Sequence, residues 1–386
     1  MSETITALDL FAGTGWGVAC KRLGIREMGV EIMPEAIATR DANGMATIYR
    51  DVWDGLEGKF HVPAYQLLIA SPPCQTFSLA GKGSGRAALN EVLEAIELHA
   101  YKDPTQLREF GEKHDHRTAL VLAPLAHVWR DRPEYVAFEQ VPTVLPVWEA
   151  CADVMCEWGY SVDVAVLNAE QYGVPQTRKR AILVGRLNGE AKLPTPTHSR
   201  YYSNKPEKLD SGVKKWVSIA EALGWTTEEA EGSTYTGNNK LAHQAVRTLD
   251  QPAPTVTAGH DSGNRGFIDC DGQFFKATVE QVSALQSYPT VLRSNYGTGG
   301  DASKRGERTI DQPAPTLTSK ADRNKWDGQT ALSQDEASAL QTYEKPFEWV
   351  GPKTKTFLQI GNAVPPLLAQ AVLTALTGIT GRREAA

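Results

Sequence analysis

Cysteine, long apolar runs and surplus positive charge are all scarce in this 386-residue chain, and each scarcity closes off a class of protein. Five cysteines, odd in number and widely scattered, do not make a disulfide framework, and no Cys/His cluster has zinc spacing. Reduced thiols and no metal site are expected. No stretch approaches the roughly 20 apolar residues of a membrane span. The opening MSETITALDLF has no basic segment leading into a long apolar one. A cytoplasmic location without membrane contact is the expectation. Lys and Arg number 40 against 46 Asp and Glu, and a net charge of −6 counts against a general nucleic-acid binder. What is present is an ordinary globular mixture, 41% hydrophobic and 22% charged. Single cores stop growing near about 250–300 residues, so two domains are expected.

The first half alternates apolar, β-branched runs with helical patterns, as βαβ units do. Strands are predicted at 5–11, 26–32, 46–50, 66–70, 134–139, 161–167 and 180–186. A helix follows the first strand and closes at Gly24, another starts at Pro34 and ends at Gly44, and others fit 88–98, 117–130 and 144–158. The fold class is α/β, a doubly wound and mostly parallel sheet of seven strands. Near residue 187 the texture turns polar and loop-rich until about 350, after which PPLLAQAVLTALTG again has helical apolar spacing and ends at Gly378.

The loop-rich region contains a repeat. RTLDQPAPTVT (247–257) recurs as RTIDQPAPTLT (308–318), and each copy precedes a helical segment, VEQVSALQSY (279–288) and DEASALQTY (335–343). Two prolines lock φ and remove two donors, which suits an extended turn on which each helix packs. Direct substrate contact is the other reading.

LDLFAGTGWG (8–17) sets glycines at 13, 15 and 17 after the first strand, where a doubly wound sheet binds a nucleotide-like ligand. The spacing is not G-x-G-x-x-G, which weakens a dinucleotide assignment. Glu31 ends the second strand, where a carboxylate can accept from two ribose hydroxyls, and Asp51 follows the third, placed to face an adenine amine. A tight strand-to-helix turn is the structural alternative.

SPPCQTFS (71–78) puts Cys74 at the carboxyl end of an apolar strand, behind two prolines that stiffen its presentation. The flexible, cationic GKGSGR (81–86) follows, as a loop closing over a phosphate-bearing substrate would. FEQV (138–141) brings Glu139 to the same edge, and QTRKR (176–180) adds Arg178 and Arg180, two apart and on one face if extended. Singly, Cys74 could be a buried hydrophobe, Glu139 a helix cap and the Arg pair a solvated strand face. Together they make a thiol, an acid and two guanidiniums at neighbouring strand ends. Cys20, Cys151, Cys156 and Cys270 read as structural.

In family order, DLFAGTG, SPPCQ, EQV, QTRKR and GNAVPP (361–366) resemble the motifs of the DNA cytosine-5 methyltransferases of bacteria and phages. The resemblance covers about 1–186 and 350–386, which would form the catalytic and cofactor-binding domain. Residues 187–349, carrying the repeat (247–288 and 308–343), would be an inserted target-recognition domain. Trp16 stands where the family usually has a second Gly, and Gln140 where it has Asn.

The resemblance implies that Cys74 adds to carbon 6 of cytosine, since carbon 5 alone is too weak a nucleophile. Glu139 would hydrogen-bond or protonate ring nitrogen 3, while Arg178 and Arg180 would hold the base's carbonyl oxygen. S-adenosylmethionine would be the cofactor, with Phe11 on the adenine, Gly13 and Gly15 near the methionine part, Glu31 on the ribose, Asp51 on the adenine amine and Asn362 closing the pocket. Double-stranded DNA would be the substrate, with the base flipped out at a cost of about a few kcal/mol. A monomer accompanied by a cognate restriction endonuclease is implied. Rival expectations are an RNA-directed member of the same family, a DNA-binding protein without catalysis, and a nicotinamide oxidoreductase. The phosphate contacts are expected from the 81–86 loop and from 293–325, which holds seven Lys/Arg against four acids.

Overall fold

The structure is a computed structural model that describes residues 4–73, 89–113, 119–224, 291–294, 306–326 and 330–381, with short strand backbones between 234 and 276. Seven strands build the main sheet: β1 (Thr6–Leu10), β2 (Arg26–Val30), β3 (Ala46–Tyr49), β4 (Leu67–Ala70), β5 (Tyr135–Gln140), β6 (Ser161–Asn168) and β7 (Lys179–Arg186). Their order is β3-β2-β1-β4-β5-β7-β6. The first five pair in parallel, while β7 runs antiparallel to both β5 and β6. All seven lie where the apolar runs predicted them.

The sheet is buried on both faces because helices cover each. They are α1 (Gly15–Leu23), α2 (Pro34–Ala42), α3 (Val52–Leu56), α4 (Leu89–Glu97), α5 (Pro104–Lys113), α6 (Ala123–Asp131) and α7 (Leu145–Glu157). The central strands therefore read as continuous apolar runs, with side chains divided by the two-residue period. Leu8, Leu10, Leu68, Val136 and Phe138 face one core, into which Val92, Leu125 and Trp148 pack. Ala7, Leu67, Ile69, Ala137 and Ile182 face the other. Gly24 ends α1 with φ 71°, the left-handed closure expected of it.

Three helices complete the described chain after a short α8 (Ile219–Leu223): α9 (Gln334–Leu340), α10 (Lys353–Asn362) and α11 (Pro366–Thr377). On α11, Leu368, Val372, Leu373 and Leu376 pack with Ala19, Cys20 and Leu23 of α1, so the far end of the chain returns to the first βα unit. By length and composition Lys353–Thr377 could cross a membrane. It is two helices, however, broken at the extended Ala363 and at Pro365, and most of it is buried.

A third core gathers Ile219, Leu292, Ala314, Leu317, Trp326 and Leu340 with Phe357 and Ile360 of α10. Around it lies a four-stranded antiparallel sheet in the order Glu307–Thr309, Val291–Arg293, Lys325–Trp326, Thr330–Ala331. A second such sheet joins Phe274–Lys276, Gly266–Ile268, Thr234–Thr236 and Arg247–Thr248. The later DQPAPT copy packs: Ala314 bridges to Gln176, and the Leu317 N–H donates to Gln176 Oε1 at 2.9 Å. Most of the earlier copy and its helical segment 279–288 lie outside the described residues. Of the cysteines, Cys20 and Cys151 are buried, whereas Cys156 is exposed on the outer side of α7; Cys270 lies outside the description.

Candidate active site

A cavity of about 310 Å³ opens at the carboxyl ends of β1, β2, β4 and β5. Its floor is the Gly-rich turn. Phe11 leaves β1 with φ +58°, a left-handed conformation that is uncommon for any residue but Gly. The chain then turns so that the Gly13 N–H donates to Glu31 Oε2 at 2.9 Å, while Glu31 Oε1 accepts from the Met33 N–H at 2.8 Å. Two backbone donors thus orient the carboxylate expected to meet a ribose. Behind the turn, fully buried Arg40 donates to the Gly13 carbonyl at 3.0 Å and pairs with Glu27 at 2.6 Å. Gly15 is required for a close approach, since a Cβ there would lie 2.0 Å from the Val364 carbonyl oxygen of the GNAVPP segment.

Phe11, Gly13, Gly15, Glu31, Asp51 and Asn362 all line this one cavity. Asp51 also caps α3 by accepting from the Trp53 N–H at 3.1 Å, which fixes its side chain. Asn362 arrives as the last residue of α10, whose other side carries Phe357 and Ile360 into the third core. Sequence reasoning missed Ile32. It is 66% exposed beside Glu31, an apolar side chain facing the cavity, and the signal was an isoleucine following the acid at a strand end.

Glu139, 5% exposed at the end of β5, pairs its Oε1 with Arg180 Nε at 2.6 Å, and both line the cavity. Gln140, at the position where the resembled motif has Asn, is buried and reaches across to the neighbouring strand end. Its Nε2 donates to the Pro72 carbonyl at 2.7 Å, and its Oε1 accepts from the Val141 N–H at 2.5 Å. The acid is therefore tied to the segment leading to Cys74. Pro72 and Pro73 line the cavity, while Cys74 and the 81–86 loop lie outside the described residues.

Arg178 lies apart from the cavity's described lining. It is 1% exposed. Its guanidinium donates to the carbonyls of Leu317 at 2.9 Å, Gly361 at 3.1 Å and Ala363 at 3.0 Å. The two arginines take different partners: Arg180 turns to Glu139 within the sheet, while Arg178 turns to carbonyls brought by the far part of the chain. Arg180 lines the cavity beside Glu139, and Arg178 clips the later repeat copy and GNAVPP to the sheet.

Two polar links underlie the turn. The Trp16 indole N–H donates to Ser71 Oγ at 2.9 Å, and Thr14 Oγ1 and the Tyr343 hydroxyl share a hydrogen bond of 2.6 Å. Asp9, wholly buried beneath, has neither carboxylate oxygen hydrogen-bonded among the described residues. Burial holds its carboxyl well above the usual range, with Glu27 adding to the rise and Arg40 opposing it.

This arrangement is an α/β sheet with a cavity against the carboxyl ends of its strands, lined by a Gly-rich turn and the acids Glu31 and Asp51, with Glu139 and Arg180 alongside. The chain belongs to the C-5 cytosine-specific DNA methylase family, whose model matches residues 5–107 and 108–378. It is a DNA cytosine-5 methyltransferase, and the family's dependence on S-adenosylmethionine extends to it. Type II methyltransferase M1.HphI of Haemophilus parahaemolyticus is 27% identical over 385 residues, spanning 97% of this chain and 87% of that protein. Two solved structures share the fold. A DNA modification methyltransferase encoded within a prophage of E. coli superposes with a TM-score of 0.55 at 18% identity, covering 97% of this chain and 99% of that one. The Dnmt2 methyltransferase of S. pombe gives 0.53 at 13%, covering 96% and 97%.

Proposed function

We propose that Cys74, Glu139 and Arg180 methylate carbon 5 of a flipped-out cytosine in duplex DNA through a covalent adduct at carbon 6. The observation that carries this reading is the Glu139–Arg180 pair at the cavity wall, tied through Gln140 to the segment that leads to Cys74. The cavity fits S-adenosylmethionine: Glu31 is pre-oriented for ribose hydroxyls, Asp51 for the adenine amine, Phe11 and Ile32 offer apolar faces, and Gly13, Gly15 and Asn362 line the remainder. When bound, that cofactor supplies an electrophilic methyl group.

The Cys74 thiolate adds to carbon 6, which turns the ring into an enamine able to react at carbon 5. Glu139 hydrogen-bonds ring nitrogen 3 and supplies the proton that neutralises the charge created by the addition. Arg180, already on Glu139 Oε1, stabilises the carboxylate left behind, inside a site where such a charge pair is little screened. Once carbon 5 has gained the methyl group, its proton passes to solvent, the Cys74 thiolate is eliminated and the ring nitrogen 3 proton returns to Glu139, which releases the product. We further propose that 1–186 with 350–386 is the catalytic domain and 187–349 the recognition domain, acting as a monomer alongside a cognate restriction endonuclease.

The test is incubation with labelled S-adenosylmethionine and duplex carrying 5-fluorocytosine, in which fluorine replaces the carbon-5 hydrogen and cannot be lost as a cation, so the adduct is trapped. A covalent adduct is expected in the wild type and not in Cys74→Ser; an adduct that persists in the variant would overturn the nucleophile. Bisulfite sequencing of DNA from expressing cells would locate the methylated sites.

A further inference from the structure

We propose that the loop 197–216 is a phosphate-binding ledge that grips duplex DNA several base pairs from the target base. The inference rests on duplex DNA being the substrate. Arg200, Lys205, Lys208, Lys214 and Lys215 are all exposed on this loop, against two acids, Glu207 and Asp210. None of the five cations has a carboxylate within salt-bridge distance among the described residues. Asp210 is spent on the loop itself: its Oδ2 accepts from the Arg200 N–H at 2.9 Å and its Oδ1 from the Tyr202 hydroxyl at 2.7 Å.

The loop is built, which lets it hold charges in place. His198 and Lys214 bridge in parallel, with the Ser199 N–H donating to the Lys214 carbonyl at 2.7 Å and the Lys214 N–H to that of Thr197 at 3.0 Å. The Asp210 N–H donates to Ser199 Oγ at 2.8 Å, closing the loop from inside. Aromatic rings carry the cations: Lys208 lies 4.2 Å over Tyr202, and Lys215 lies 4.5 Å over Trp216. A cation held over a ring is restricted without being neutralised, so it still presents its charge to an anion. By contrast, the stretch 293–325 has Arg293 paired with Glu307 at 2.9 Å and Arg308 over Tyr201, leaving Lys320, Arg323 and Lys325 exposed. Lys304 and Arg305 lie outside the described residues.

Its place follows from the sheet. Glu139 is level with Ile182 on β7, and Ile182 with Ala165 on β6, which is two strand spacings, about 10 Å. From Ala165, β6 runs three residues further to Asn168, about 10 Å towards the edge where the cavity opens. Just beyond it, the Gln171 carbonyl accepts from the Thr197 and His198 N–H groups, anchoring the base of the loop. A duplex that delivers a base to Glu139 crosses this edge. The base of the loop then lies roughly 14 Å from Glu139, about four base-pair steps at about 3.4 Å each, which sets the scale for the phosphates it would grip.

The experiment is a fluorescence-anisotropy titration of a labelled 30-base-pair duplex, taken from a methylated locus, across a range of salt concentrations. Lys205→Gln, Lys208→Gln and Lys215→Gln are combined in one variant, and the same three positions are changed to Arg in a second. Each phosphate contact contributes about 0.9 to the slope of log affinity against log salt, so the Gln variant is expected to lose about 2–3 from that slope. Its binding at low salt is expected to be at least tenfold weaker, while the Arg variant keeps the wild-type slope. An unchanged slope in the Gln variant, or the same loss in the Arg variant, overturns the ledge. Failure of the wild type to methylate any duplex would instead sink the functional reading on which the ledge rests, whereas a wild type that methylates while the Gln variant keeps its slope overturns the ledge alone.

Discussion

The Trp16 indole N–H donates to Ser71 Oγ at 2.9 Å, joining the first turn of α1 to the residue that precedes Pro72 and Pro73. The bond ties the Gly-rich turn to the strand end that leads to Cys74, the proposed nucleophile. Trp16→Phe keeps a ring in the core and removes the donor. We expect a stability loss of about 1 kcal/mol and slower adduct formation in single-turnover assays, with little change in cofactor affinity. Ser71→Ala should do the same, and the double variant should be no worse than either alone. Additive losses would show that the two residues act independently.

Arg178 and Arg180 should separate cleanly. Arg178→Ala leaves three buried carbonyls without their donor and is expected to cost about 3 kcal/mol or more in urea unfolding. Arg180→Ala removes a partner of Glu139 at the cavity wall and is expected to lower kcat at least tenfold while shifting the urea midpoint far less. A reversal of this pattern would assign the base-binding role to Arg178 and the structural one to Arg180.

Gly13 and Gly15 differ in the same manner. Gly13 has φ +45° with open space around it, so Gly13→Ala carries only backbone strain, about 1 kcal/mol. Gly15→Ala would drive a methyl group into the Val364 carbonyl. Calorimetric titration with S-adenosylhomocysteine should show modest weakening for the first and loss of binding for the second.

Asp9 sets a pH dependence. Its folded-state carboxyl titrates above the unfolded one, so above the ordinary carboxylate range the folded state binds more protons, and stability falls as pH rises. Asp9→Asn removes that titration. Its stabilising effect should be greatest near neutral pH and shrink as pH falls towards 4, measured by urea unfolding across the series. A gain independent of pH would assign the effect to packing.

The strands of the main sheet were legible because burial on both faces forces apolar runs such as LLIA (67–70), and local pattern is all that a strand's existence requires. The short α3, the α5 segment over Pro104–Lys113 and α10 were not read. The first is a single capped turn, and the other two are polar on much of their surface, so their helicity depends on what they pack against. The pairing of Glu139 with Arg180 follows from two strand ends at one edge. The fate of Arg178 does not, because it rests on carbonyls 139 to 185 residues away.

By itself the sequence determined the residue types and the elements: a Gly-rich turn behind a strand, acids at successive strand ends, and motifs in family order. Those are local properties, set by backbone sterics and the two-residue and helical periods. Tertiary structure alone decided which side chains share a cavity. It turned Arg178 inward, gave Gln140 the Pro72 carbonyl, set Trp16 on Ser71, and left the cations of 197–216 exposed. Each outcome depends on competition for partners between distant segments. A buried donor takes whichever acceptor the packed chain brings within reach, and neither charge nor spacing in the sequence names that acceptor.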